Sequence, residues 1–185
     1  MSDFSNPQAA VTPLFVSAHG QYGSVLAASM AAGVAETGAA RTWVANLVSY
    51  APVVLPFPYP VNRVFWVNGS TNTSTNVDFG IYSWDGGRIY NTGSTVMGTV
   101  STVQYVTPGT SFVLDAGRYY FAWSCNNTTA RGYALGTLSA NQGRLVGLLE
   151  ETTGGFGLPA TMNPVAWARA WGQSLCGVTR TTTGF

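Results

Sequence analysis

The sequence predicts an all-β fold, an antiparallel β-sandwich of jelly-roll-like form with an N-terminal arm and a C-terminal tail. Three observations predict it. From Arg41 onward, short β-branched and aromatic runs are punctuated by Gly, Pro, Asn and Asp, the grammar of sandwiches and jelly rolls. In Asn76 to Trp84, Val77, Phe79 and Ile81 share one face while Asp78, Gly80, Tyr82 and Trp84 share the other, because side chains alternate along a strand. In Arg118 to Cys125, Tyr119, Phe121, Trp123 and Cys125 alternate with Arg118, Tyr120, Ala122 and Ser124. Both faces of that segment carry aromatics, so it is either central in a thick sandwich or covered by a partner.

The arm spans residues 1–40, the sandwich 41–150, and a loop and tail that pack on the sandwich or on a neighbour span 151–185. The arm is rich in Ala, Gly and Ser, and Val25, Leu26, Ser29, Met30 and Gly33 fall near helical spacing; a short helix and an extended arm across a neighbouring subunit are both open. Strands are expected near Trp43–Tyr50, Val61–Val67, Asn76–Trp84, Arg88–Asn91, Val100–Val106, Ser111–Leu114, Arg118–Cys125 and Arg144–Leu149. Pro52, Pro56, Pro58 and Pro60 should break the ladder, since each removes a backbone donor. Asn68-Gly69 and Asp85-Gly86-Gly87 offer residues that tolerate the positive φ of tight hairpins, and Pro108-Gly109 and Asp115-Ala116-Gly117 mark further turns. Trp167 and Trp171, four apart with Val165 and Ala168 nearby, suit one helical turn or a packed tail.

The chain has 185 residues, of which 8 are basic and 7 acidic, every base an arginine. A soluble domain usually carries charge on about 25% of its residues. A chain so short of charge is expected to hide much of its outside against other subunits. The net charge of +1, with arginines scattered from Arg41 to Arg180, supplies no field to gather nucleic acid or an anionic membrane. Met1 to Gln8 lack a secretory start, and the apolar stretch Val25–Ala35 is too short to span a bilayer. The expectation is a soluble product made in the cytoplasm. Cys125 and Cys176 lack zinc-site spacing; two buried free thiols is the first reading, and one disulfide the alternative.

The string Asn-Val-Asp-Phe-Gly-Ile-Tyr-Ser-Trp-Asp-Gly-Gly-Arg-Ile-Tyr, Asn76 to Tyr90, followed by Asp-Ala-Gly-Arg-Tyr-Tyr-Phe-Ala-Trp, Asp115 to Trp123, resembles a β-sandwich module of tailed-bacteriophage virion proteins. Pro58 to Gly69 is similar to it as well, so the resemblance covers roughly Arg41 to Cys125. It implies a virion structural protein of the capsid decoration or tail type, since such sandwiches serve in both places.

Catalysis is poorly supplied. His19 is the lone histidine, with no partner to make it a base. Asp78, Asp85 and Asp115 are the candidate carboxylates for a sugar or a calcium ion, yet Asp85 and Asp115 sit in turns, where Asp bonds its own backbone. Glu150 and Glu151 would point to opposite faces of a strand. Gly154, Gly155 and Gly157 read as a flexible connection without a phosphate-binding lysine. No enzyme, cofactor or metal is expected. The aromatics are the better candidates: Trp43, Tyr50, Phe57, Tyr59, Tyr82, Trp84, Trp167 and Trp171 are expected to contribute to contacts between chains. Tyr82 and Trp84 lead, being opposite the Val77–Phe79–Ile81 stripe. The expected partners are other virion proteins, major capsid or tail, and copies of the chain itself in a closed ring such as a trimer. A tail or fibre protein that stacks host-surface carbohydrate on an exposed aromatic is the alternative.

Overall fold

The computed structural model describes residues 25–28, 39–72, 75–135, 139–145, 147–166, 173–174 and 176–180. Among the described residues, sixteen strands and one helix follow in chain order: β1 Val25–Ala28, β2 Ala39–Thr42, β3 Leu47–Leu55, β4 Tyr59–Val61, β5 Arg63–Val67, β6 Asn76–Ser83, β7 Arg88–Asn91, β8 Thr95–Val96, β9 Val103–Val106, β10 Phe112–Leu114, β11 Gly117–Cys125, β12 Arg131–Leu135, α1 Ala140–Leu145, β13 Leu149–Thr152, β14 Val165–Ala166, β15 Gln173–Ser174 and β16 Cys176–Thr179. Every pairing between strands is antiparallel. The all-β, sandwich-like expectation holds.

The large sheet runs β14-β13-β3-β11-β6-β7, with β8 also on β6, and a four-stranded sheet runs β1-β16-β5-β9. Between them lies the main core, in which Val53, Leu55, Phe79, Ile81, Phe121 and Trp123 of the large sheet meet Val64, Trp66, Cys176 and Val178 of the small one. Alternation explains this directly: Phe121 pairs with Ile81 and Trp123 with Phe79, and paired residues share a face. Trp123 packs against Trp66 at 5.3 Å and against Trp43 at 5.8 Å. Smaller sheets, β10-β4 and β15-β12-β2, complete the pairings.

Several expectations need correction. β16 lies between β1 and β5, so the C-terminal segment supplies an internal strand of the sandwich rather than an appended tail. Of the two readings left open for the arm, the helix does not hold at Val25–Ala28, which is a strand paired with β16 through a register shift between Val25 and Ala27, and the pairing is within the chain. The strand expected at Arg144–Leu149 is instead the end of α1 followed by the start of β13. Ser139 and Gln142 form a reciprocal capping box, the Ser139 N–H donating to Gln142 Oε1 at 2.8 Å and the Gln142 N–H to Ser139 Oγ at 3.2 Å. Gly147, at φ 79°, ends the helix, with Gly147 N–H on Arg144 O and Leu148 N–H on Gly143 O. Pro52 lies inside β3, tolerated because pairing with β13 stops at Tyr50 and leaves an edge there. Pro60 likewise lies in β4, opposite Val113.

Gly86 takes positive φ, 93°, as its hairpin requires. Gly69 serves another purpose: a Cβ there would sit 2.5 Å from the Arg131 carbonyl oxygen, so the residue permits close approach of two backbones. Its neighbour Asn68 is a buried junction that accepts from Trp66 Nε1 at 2.9 Å and donates to Thr99 O and Gln104 Oε1, each at 3.0 Å.

Candidate functional site

The second face of the large sheet is covered as well. Val48, Tyr50, Tyr82, Ala122 and Leu158 are buried there, with Tyr120, Leu149 and Met162 packed alongside. The cover is the run between β13 and β14, which the sequence suggested was a flexible connection. It is instead hydrogen-bonded along its length. Thr153 N–H donates to Asn46 O at 2.9 Å, Arg88 N–H to Ala160 O at 3.0 Å, and Met162 N–H to Gly86 O at 3.0 Å. Tyr82 Oη donates to Pro159 O at 2.5 Å. Tyr50 Oη and the Asn163 N–H both donate to Glu151 Oε2, at 2.7 and 3.0 Å.

Asp78 anchors the strap. Its carboxylate is buried and accepts from the Leu158 N–H at 3.0 Å, from Asn91 Nδ2 at 3.0 and 3.2 Å and from Thr92 Oγ1 at 3.3 Å. Those donors fill its lone pairs, which makes Asp78 a structural acceptor. Asp85 lies beyond the end of β6, roughly 15–20 Å further on at the strand rise, so the two cannot form a glycosidase pair. The Ser83 hydroxyl and then the Gly87 N–H hold the exposed Asp85 carboxyl below the usual carboxylate range. Asp115 is exposed in its turn, its carbonyl accepting from Tyr119 Oη at 2.9 Å.

Trp84 follows β6 directly. That indole is 44% exposed and lies on Tyr120, ring centres 4.7 Å apart and planes 4° from parallel. The Arg118 guanidinium carbon is 5.3 Å from the Trp84 ring centre. The β6–β7 hairpin, fixed by Ser83 N–H on Gly87 O and Gly86 N–H on Ser83 O, places Trp84 just past the point where Ser83 pairs with Tyr119. An aromatic surface, a guanidinium and the charged Asp85 therefore crowd one end of the large sheet. Such a set stacks a flat or ring-shaped apolar face and hydrogen-bonds its polar rim.

The other expected aromatics divide. Trp43, Tyr50, Tyr59 and Tyr82 are buried inside the chain, which removes them as surface contacts. Tyr82 meets Tyr50 edge to face, ring centres 5.4 Å apart; burial above all pushes both phenols above the ordinary tyrosine range, with the Glu151 hydrogen bond adding to it at Tyr50 and the Arg88 charge opposing it at Tyr82. Phe57, on the loop between β3 and β4, is exposed. Trp167, Trp171 and His19 lie outside the described residues. Arg118 and Tyr120 were not among the expected contact residues, although the aromatic second face of their strand was the available signal.

No protein-family model matches the chain, and no curated protein does. Both cysteines are buried thiols outside any disulfide, and burial pushes the Cys125 thiol up to about 11. Among the described residues, no three His, Cys, Asp or Glu side chains group as a metal site, and no helix is long and apolar enough to cross a membrane.

Proposed function

We propose that this chain is a non-enzymatic structural component of a bacteriophage virion, a capsid decoration or cement protein that stabilises the particle through subunit contacts. The observation that carries this reading is the scarcity of charge, 8 basic and 7 acidic residues in 185, on a molecule that leaves Phe57, Trp84, Val96, Val113 and Leu145 exposed. Surfaces of that composition are stable in solution chiefly when other protein covers them. The resemblance supports it too, because its two segments are adjacent strands, β6 and β11.

The test is to locate the chain on particles by labelled cryo-electron microscopy and to challenge particles lacking it. Many copies on the capsid lattice, with lost resistance to heat or osmotic shock in its absence, is the expected result. Absence from the capsid overturns the cement assignment.

The Trp84–Tyr120–Arg118 arrangement favours one second reading, a tail or fibre protein that binds host-surface carbohydrate. That reading expects few copies, at the tail, and blocked adsorption by purified protein. Trp84→Ala should abolish the block while leaving the chain folded, the lost ring pair costing about 0.5–1.5 kcal/mol beyond the area the indole buries. Retained blocking by a folded Trp84→Ala protein would remove the indole from this role.

A further inference from the structure

Arg118 is a cation without a counter-charge. Its exposed guanidinium lies over the Trp84 ring, and among the described residues its side chain donates no hydrogen bond and meets no carboxylate. The exposed acids on neighbouring turns are engaged elsewhere. Asp85, one residue past Trp84, is bound back into its own hairpin by the Ser83 hydroxyl and the Gly87 N–H. Asp115, three residues before Arg118, sets its charge on Tyr119, and Tyr119 lies on the opposite face of β11 from Arg118, since side chains alternate along a strand. The fork of N–H donors on Arg118 is therefore open, beside an indole that is itself exposed.

The aromatic part of this surface is fixed in advance. Tyr120 stands on β11, paired on both sides with β3 and β6, and Trp84 lies parallel on it. The hairpin that carries Trp84 is tied to the strap by the Met162 N–H on Gly86 O and the Arg88 N–H on Ala160 O, each at 3.0 Å. Across the ladder on β3, Pro52 is opposite Tyr120 and Val54 opposite Arg118, both half-buried. The floor beside the cation is thus apolar and carries no competing acid. Side chains fixed before contact lose little freedom on binding.

We propose that Trp84, Tyr120 and Arg118 form a subsite for a carboxylated sugar ring, a uronic or sialic acid residue of an acidic glycan. The inference rests on the carbohydrate reading above and names the ligand class which that reading leaves open. The exposed indole covers the apolar C–H face of a pyranose. The guanidinium takes the carboxylate through paired N–H···O bonds, a geometry that a planar fork supplies. In uronic and sialic acids the carboxylate is bonded directly to a ring carbon, so ring face and charge arrive together, as indole and guanidinium stand together here. A neutral sugar would meet the indole and leave the cation unanswered. An aspartate or glutamate side chain would answer the cation and bring no ring to the indole.

Titration of the full chain with matched probes tests this, using trigalacturonic acid against its methyl ester and sialyllactose against lactose, followed by tryptophan emission and calorimetry. At least one acid probe should bind, and about tenfold or more tightly than its neutral counterpart. Arg118→Gln should erase that preference, and Trp84→Ala should weaken binding of the acid by about tenfold or more, with circular dichroism unchanged in both. Equal affinity for acid and neutral probes overturns the carboxylate assignment and leaves the carbohydrate reading standing, as does a folded Arg118→Gln protein that keeps the preference. Polyglutamate bound as tightly as the acid sugars shows a surface that reads charge alone and also overturns it. If neither acid probe binds at up to about 10 mM, the subsite is overturned; the carbohydrate reading is then decided separately by whether purified protein blocks adsorption.

Discussion

At the scale of single residues, tight packing makes glycines decisive. A Cβ at Gly132 would lie 2.3–2.6 Å from the Trp43 indole, far inside contact distance, and Trp43 packs on Trp123. Gly132→Ala should therefore destabilise the protein by about 1–3 kcal/mol and shift its tryptophan emission; urea unfolding followed by fluorescence reads both. Asp78→Ala should cost a similar amount, about 1–3 kcal/mol, because it strips the acceptor from the buried Leu158 amide and from the half-buried donors on Asn91 and Thr92. Hydrogen exchange at the Leu158 amide should accelerate. Much at this scale was legible: the inward stripe Val77, Phe79, Ile81 followed from alternation alone. Tyr82 was not. Alternation placed it on the opposite face correctly, but no periodicity says that a later segment of the same chain covers that face.

At the scale of elements, the strap and the face beneath it are one unit. A Cβ at Gly80 would meet Leu158 Cδ1 at 2.4 Å and Tyr90 O at 3.1 Å, so Gly80 is the socket for Leu158. Leu158→Ala is expected to lose about 2–5 kcal/mol. Gly80→Ala should destabilise the wild type clearly and the Leu158→Ala protein less, a coupling that a double-mutant cycle in urea measures; equal effects in both backgrounds would refute the socket. Gly154, Gly155 and Gly157 suggested looseness because composition reports what a backbone can do. Where it goes was set by hydrogen bonds from residues far away in sequence, Asp78, Tyr82 and Arg88. Helix α1 was more readable, since Ser139-Ala-Asn-Gln142 and Gly147 are start and stop signals; the apolar run through Leu145 and Leu148 masked them.

At the scale of the whole molecule, buried phenols and a buried thiol set the response to alkali. Tyr50 and Tyr82 hold their protons in the folded state beyond the pH near 10.0 at which they ionise when unfolded, and Cys125 holds its own to about 11 against 9.0. The unfolded chain thus releases protons first. Stability from these groups is whole below about pH 9 and is lost as pH rises further, by up to about 1.4 kcal/mol per pH unit for each group past its unfolded pKa. Urea midpoints should be flat from about pH 7 to 9 and fall above that, with the tyrosinate absorbance of Tyr50 and Tyr82 appearing only as the chain unfolds. The sandwich class was legible from punctuation and alternation, whereas sheet membership was not, because the partner of Trp66 is Cys176 and nothing local announces so distant a pairing.

That pairing has a consequence during synthesis. β5 emerges from the ribosome well before β16, the strand that must lie beside it. Until then Val64 and Trp66 have no finished sheet in which to rest, so the nascent chain has to shelter them or find a chaperone, and a ribosome that stops before Cys176 releases a product that cannot close.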